Sequence, residues 1–147
     1  MRIEESVEIN RPPVEVFSYV ANLENLPEWS NLVLEVRKDT EGHLKEGDRF
    51  TTVAKFLGRR FETPFEVSTH EPPGRHSDRS LGGPFEQEYT YTFEETEAGG
   101  TRFTQVAEGE PGGFFRLAGP LLEMAGRRQF RADLQSLKDL LEANAES

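Results

Sequence analysis

The stretch Arg75-His76-Ser77-Asp78-Arg79-Ser80 sets an imidazole, a carboxylate and a hydroxyl at alternate positions. Alternate side chains of a β-strand share a face, so His76, Asp78 and Ser80 would stand together, a candidate general base among hydrogen-bonding groups. The turn Leu81-Gly82-Gly83-Pro84 allows a two-residue hairpin loop, which pairs Leu81 with Pro84, Ser80 with Phe85, Asp78 with Gln87 and His76 with Tyr89. The same register sets Arg79 opposite Glu86, a favourable cross-strand charge pair on the other face. Phe85, Gln87, Tyr89, Tyr91 and Phe93 alternate with Glu86, Glu88, Thr90, Thr92 and Glu94, so one face is aromatic and the other largely acidic. Phe103 and Gln105 join the aromatic face from a last strand, and Phe61, Phe65 and Val67 from an earlier one. A buried unpaired polar group costs roughly 1 to 3 kcal/mol, so a face carrying these polar residues is either hydrated or built to meet a ligand. The other reading of residues 75–80 is a frayed, exposed segment.

Three further residues are candidates for a ligand site. Trp29, the lone tryptophan, either offers its indole N–H at a pocket mouth or packs as an aromatic anchor. On the C-terminal helix, Leu122 lies on the apolar arc, and Glu123 interrupts that arc near Gly126, whose missing side chain leaves room. Glu123 also precedes Arg127 by four residues, the favourable order for an exposed ion pair, and that pairing is the preferred reading.

These side chains need a frame. Residues 2–9 alternate Ile3, Glu5, Val7, Ile9 against Glu4, Ser6, Glu8 as a first strand. Asn10 or Arg11 leads into a short helix with proline in its first turn, placing Val14, Phe17 and Val20 on one face, and a second short helix over Leu23 to Pro27 leaves Trp29 just beyond its end. From residue 32 the period becomes two, with strands predicted at 32–38, 48–57, 60–70, 75–81, 84–95 and 101–110, separated by glycine- or proline-bearing turns. Short turns make this meander antiparallel. Gly119-Pro120 then opens a helix running to Ala143, about 36 Å long at 1.5 Å per residue. Leu122, Phe130, Leu134, Leu137, Leu140 and Leu141 form one broad arc, with Arg127, Arg128, Arg131, Lys138 and Glu142 largely opposite. Such a helix must lie on the sheet.

Composition narrows the partners. The 147 residues suit one domain spanning 1–147. The balance of 17 Lys+Arg against 27 Asp+Glu gives a net charge of -10, which repels nucleic-acid phosphates and anionic membrane surfaces. Cysteine is absent, removing disulfides and thiol chemistry. No apolar run approaches the ~20 residues of a membrane span, and the Met-Arg-Ile-Glu-Glu start is unlike a signal peptide, so a cytoplasmic location without membrane insertion is expected. His43, His70 and His76 lack metal-ligand spacing, and no GxSxG, GxxxxGK[ST] or GxGxxG motif occurs. Neither a metal nor a cofactor is expected.

The segments VEINRPPVEVFSYVANLENLPEW (7–29), EGDRF (46–50), GRRFETPFEV (58–67), YTYTFEE (89–95) and GPLLEMAGRRQFRADLQSLKDLLEA (119–143) resemble the SRPBCC superfamily, the START and Bet v 1-like group, and within it the bacterial polyketide cyclase/dehydrase-like branch. The resemblance covers nearly the whole chain and is structural in character. It implies an α+β helix-grip fold, in which a seven-stranded curved antiparallel sheet wraps a long C-terminal helix, with two short helices between strands 1 and 2. It also implies a cavity between sheet and helix for hydrophobic or amphipathic small molecules such as lipids, sterols, polyketides or aromatic metabolites. Some members catalyse cyclisation or dehydration.

Three functions compete. The first is a small-molecule binding protein, its ligand hydrophobic or aromatic, with a site drawn from Trp29, Phe65, His76, Asp78, Ser80, Gln87, Tyr89, Tyr91, Phe103, Gln105, Leu122 and Glu123. The second is a cofactor-independent cyclase, dehydratase or isomerase, with His76 or Asp78 as general base and Tyr89 or Tyr91 donating to a developing oxyanion. The third is an interaction or stress-response module, a homodimer in one version, using the off-arc apolar residues Leu121 and Met124.

Overall fold

The computed structural model describes residues 1–56, 58–83, 85–111 and 119–144. Leu57 and Pro84, placed by the sequence reading in the second and fifth strands of the meander, lie outside them.

Strand β1 (Arg2–Ile9) is followed by helix α1 (Pro13–Ala21), a 3-10 turn (Leu23–Asn25) and the single-turn helix α2 (Leu26–Trp29). The meander then runs through β2 (Val33–Lys38), β3 (Arg49–Phe56), β4 (Arg59–Glu71), β5 (Arg75–Ser80), β6 (Phe85–Glu95) and β7 (Thr101–Pro111), and the chain closes with helix α3 (Gly119–Asn144). All pairings are antiparallel in one seven-stranded sheet of order β1-β7-β6-β5-β4-β3-β2. The two strands that flank the short helices therefore lie at opposite edges, and α1 and α2 carry the chain between them.

In α1 the core takes Val16, Phe17 and Val20, whereas Val14, expected on that face, is 59 % exposed. Phe17 sets the rotation by packing edge-on against Phe93 at 5.0 Å between ring centroids; with Val16 fully buried beside it, Val14 in the first turn is turned outward. The second short helix extends further than expected, ending on Trp29 itself. Trp29 is 1 % exposed and meets Tyr91 and Phe103 edge-to-face at 6.2 and 6.1 Å.

Helix α3 buries Leu122, Phe130, Leu134, Leu137 and Leu141, each contributing roughly 1.5 to 3 kcal/mol if fully removed from water. It lies close to edge strand β1. A Cβ at Gly126 would come within 2.6 Å of Ile3 Cδ1, so the space left by that glycine is taken up by Ile3. Lys138 Nζ donates to the Glu8 carbonyl at 2.8 Å and Glu142 accepts from the Asn10 N–H at 3.0 Å, which occupies backbone groups at the β1 edge.

The β5–β6 register differs from the two-residue hairpin reading. His76 pairs with Tyr91, Asp78 with Tyr89 and Arg79 with Glu88, a slip of two residues from the expected Tyr89, Gln87 and Glu86. The cause lies in β4, which draws the tip away from β6. Leu81 N–H donates to Pro64 O at 2.8 Å, and a Cβ on Gly83 (φ 90°) would stand 3.2 Å from Thr63. Because the slip is even, Asp78, Gln87, Tyr89 and Tyr91 keep their predicted face. The outward ion partner of Arg79 is Glu66 on β4, at 3.5 Å.

Candidate functional site

Between α3 and the concave face of the sheet lies a cavity of about 200 Å³. Its apolar wall comes from Phe50 and Phe56 of β3, Phe61 and Phe65 of β4 and Leu122 and Phe130 of α3. Its polar wall comes from Asp78, Tyr89, Tyr91 and Gln105 of the sheet, Ser30 after α2 and Asp133 of α3. Near Met1, Glu86, Glu108, Gly109 and Glu110 the same wall borders an outer depression.

The histidine of the β5 ladder is not in this wall. His76 is fully buried behind Asp78, its Nε2 2.7 Å from Asp78 Oδ1 and its Nδ1 3.0 Å from His70 Nδ1. Across the 2.7 Å contact the His76 ring N–H donates to the Asp78 carboxylate, and between the two Nδ1 atoms one ring donates and the other accepts. Burial, with help from neighbouring His76, holds His70 below the usual imidazole range.

His70 reaches this position through a β-bulge. The β4–β5 pairing shifts between Val67 and Thr69, so that Val67 faces Asp78 while His70, not Thr69, faces His76. Plain alternation from Phe61, Phe65 and Val67 would have sent His70 outward; the extra residue reverses the phase and turns it in.

Asp133 is the second buried carboxylate of the cavity wall, at 2 % exposure. Its Oδ1 accepts from Gln129 Nε2 at 2.8 Å, Asn31 N–H at 3.1 Å and Asn31 Nδ2 at 3.3 Å, with the Ser30 hydroxyl 3.5 Å from Oδ2. Burial pushes this carboxyl above its ordinary range despite those donors. The tyrosines respond to the same environment. Burial and the Asp133 charge push the Tyr89 phenol up to about 12, and Tyr91 is raised well above its usual value by burial, then by Asp78, Tyr89 and Asp133. Both phenols therefore remain neutral hydrogen-bond donors.

Of the residues singled out by sequence, Phe65, Asp78, Gln87, Tyr89, Tyr91, Gln105 and Leu122 meet in the cavity wall. Trp29 and Phe103 pack in the core behind it, and the Trp29 indole N–H, buried without a partner, is not among the lining groups. Ser80 lies at the outer depression, its hydroxyl accepting from the Gln87 N–H at 3.0 Å. Glu123 lies outside the wall, bonded to Arg127 Nη2 at 3.0 Å; the contact line of α3 passes through Leu122 and Gly126 and leaves Glu123 at the surface. Leu121 and Met124 are 68 % and 60 % exposed, so neither belongs to the buried core. The sequence reading missed Asp133, although a second carboxylate interrupting the apolar arc, between Phe130 and Leu134, was the available signal. It also missed the part of His70, for which alternation gave none.

A curved antiparallel sheet gripping a C-terminal helix around an internal cavity defines a helix-grip protein of the START and Bet v 1 type. The chain belongs to the family of polyketide cyclase / dehydrase and lipid transport proteins, whose profile matches residues 1–142. Among solved structures it is similar to a protein of Thermus thermophilus (TM-score 0.83, 22 % identity, covering 98 % of this chain and 99 % of that one). It is also similar to a START superfamily protein of Mycobacterium smegmatis (0.82, 13 %, 97 % and 97 %). The Zhui aromatase/cyclase of a Streptomyces species is a third such structure (0.81, 16 %, 99 % and 95 %). At these identities the likeness is one of fold. No functionally curated protein matches the sequence. Among the described residues no helix is long and apolar enough to cross a membrane.

Proposed function

We propose that the chain is a small-molecule binding domain that holds a hydrophobic or amphipathic molecule between α3 and the sheet. The observation that carries this reading is Gln105. It is 5 % exposed, stands in the cavity wall, and its side-chain carbonyl has no hydrogen-bond partner. An orphaned buried acceptor costs roughly 1 to 3 kcal/mol, a cost that a donor on a bound molecule would remove. The volume argues for a compact ligand: a cavity of roughly 150 Å³ takes up benzene, so about 200 Å³ suits one or two fused rings. The test is native mass spectrometry of the purified protein, followed by titration with naphthalene-sized probes monitored through Trp29 emission. Retained ligand or saturable binding is expected; an interior that admits none of the probes refutes the reading.

A second reading, a cofactor-independent enzyme, is favoured by the hydrogen-bonded series Asp78, His76, His70. Asp78, not His76, is then the base in contact with substrate. Its carboxylate removes a proton α to a carbonyl; the released electron pair moves onto the carbonyl oxygen, which accepts from Tyr91 or Tyr89; and the protonated Asp78 returns the proton to carbon or to a departing hydroxyl. His76 donates to Asp78 throughout and fixes its orientation. Deuterium exchange at the α-carbon of 2-tetralone, followed by NMR, measures the first step alone. Exchange above buffer that falls at least about 100-fold in Asp78→Asn is expected, and exchange unaffected by that substitution refutes this assignment.

A further inference from the structure

The charge distribution around the cavity is one-sided. Two carboxylates, Asp78 and Asp133, stand in its wall at 3 % and 2 % exposure, and the orphaned carbonyl of Gln105 stands with them. Where the cavity borders the outer depression, the lining residues include Glu86, Glu108 and Glu110. The β6–β7 register sets Glu86 directly opposite Glu110 and Glu88 opposite Glu108. Like charges in directly opposed positions destabilise a sheet, and here two such pairs follow one another at the end where cavity and surface meet.

Positive charge is scarce by comparison. No Lys, Arg or His is among the described residues of the cavity wall. The Met1 ammonium at its edge donates to Gly109 O at 2.8 Å. In the depression Arg79 faces Glu66 at 3.5 Å; Arg2, which is not among its described lining residues, is shared between Glu4 at 2.8 Å and Glu108 at 3.5 Å. An anionic head group entering here would leave water for a low-dielectric site containing buried carboxylates, with no basic side chain in the described wall to receive it. A donor-bearing head group meets the opposite situation: Gln105 lacks a donor, and Asp78 uses Oδ1 for His76.

Resting on the cavity-binding reading above, we infer that the ligand is a compact, one- or two-ring hydrophobe whose polar end donates hydrogen bonds, as a protonated amine or a hydroxyl, and that carboxylate or phosphate amphiphiles are rejected. The apolar rings lie against Phe50, Phe61, Phe65 and Phe130, and the donor end points to Asp78, Gln105 and Asp133. The acidic pairs on β6 and β7 act at longer range, raising the local concentration of cations and lowering that of anions, an effect screened by salt.

Four probes of one size separate the possibilities: naphthalene, 2-naphthol, 2-naphthylmethylamine and 2-naphthoate, titrated at pH 7 with Trp29 emission and calorimetry as readouts. The amine and the naphthol are expected to bind at least about tenfold more tightly than the naphthoate, a difference of roughly 1.4 kcal/mol. The amine against the naphthol tells whether charge or hydrogen-bond donation dominates. Asp78→Asn should weaken the amine and strengthen the naphthoate; should that buried substitution fail to fold, the exposed double substitution Glu86→Gln/Glu110→Gln should shift the two in the same directions more weakly. Naphthoate bound as tightly as the amine in the wild type overturns this inference while leaving the cavity-binding reading intact. Failure of all four probes overturns both.

Discussion

Asp133→Ala gives a quantitative test of how α3 is fixed to the short helices. The carboxylate accepts from the Asn31 backbone and side chain and from Gln129, with the Ser30 hydroxyl at the limit of hydrogen-bonding distance. Truncation frees four donors, but their fates differ. The Asn31 and Gln129 amides lie on exposed or half-buried residues and can turn to water, whereas Ser30 is buried at 8 % exposure and the Asn31 N–H is part-buried. Two donors left with poor access to water, at roughly 1 to 3 kcal/mol each and offset by relief of a desolvated carboxyl, give a net loss of about 2 to 3 kcal/mol. For a chain of this size that corresponds to a fall in Tm of roughly 5 to 10 °C. Urea unfolding followed through Trp29 measures it directly, and Asp133→Asn, which keeps an accepting oxygen, should lose about half as much. The pH dependence has a definite sign. Burial raises the folded-state pKa of Asp133 above its ordinary 3.8, so its contribution is fully present below the unfolded value and is lost as pH rises through the folded one. The difference between wild type and Asp133→Ala should therefore shrink towards neutral pH. A loss under about 0.5 kcal/mol at every pH, the range of an ordinary surface substitution, refutes the reasoning.

Other substitutions address separate parts of the structure. Leu137 is 0 % exposed on α3, and Leu137→Ala should cost about 3 to 5 kcal/mol in the same urea assay. Gly109→Ala should cost at least about 3 kcal/mol, because its Cβ would overlap the Glu86 carbonyl oxygen and force β6 from β7. Glu123→Ala should change stability by no more than about 0.5 kcal/mol, as an exposed ion pair with Arg127 predicts. His70 is held below its ordinary 6.5, so its contribution is present above that value and lost as pH falls through the lower folded one. His70→Asn should flatten the stability profile in that window, measured by urea midpoints from pH 7.5 to 5.

The frame of this protein was legible because it rests on short-range periodicity. Alternation along β6 placed Gln87, Tyr89 and Tyr91 on the inner face correctly even though the hairpin register was two residues off, since an even slip preserves parity. The arc of α3 was readable from Phe130 to Leu141 for the same reason. Features that depend on one element leaning on another were less accessible. Val14 and Val16 compete for the core in α1, and the winner is decided by where Phe17 meets Phe93. Glu123 and Asp133 both interrupt the apolar arc; which becomes a cavity group depends on the line along which α3 crosses the sheet, which a helical projection does not contain. The His70–His76 contact depends on a bulge that no glycine or proline announces.

That bulge also bears on how such a wall can change over generations. At Ser68 the β4 strand holds one residue more than β5 needs, and every side chain from there to the end of the strand owes its orientation to that insertion. Deleting a single residue there would exchange the inner and outer sets of this segment, withdrawing His70 from His76 while leaving Phe61, Phe65 and Val67 in place. A one-codon insertion or deletion is thus enough to replace the groups behind Asp78 in one event. The same scaffold can in this way exchange the side chains that stand behind a cavity wall while the wall itself keeps its shape.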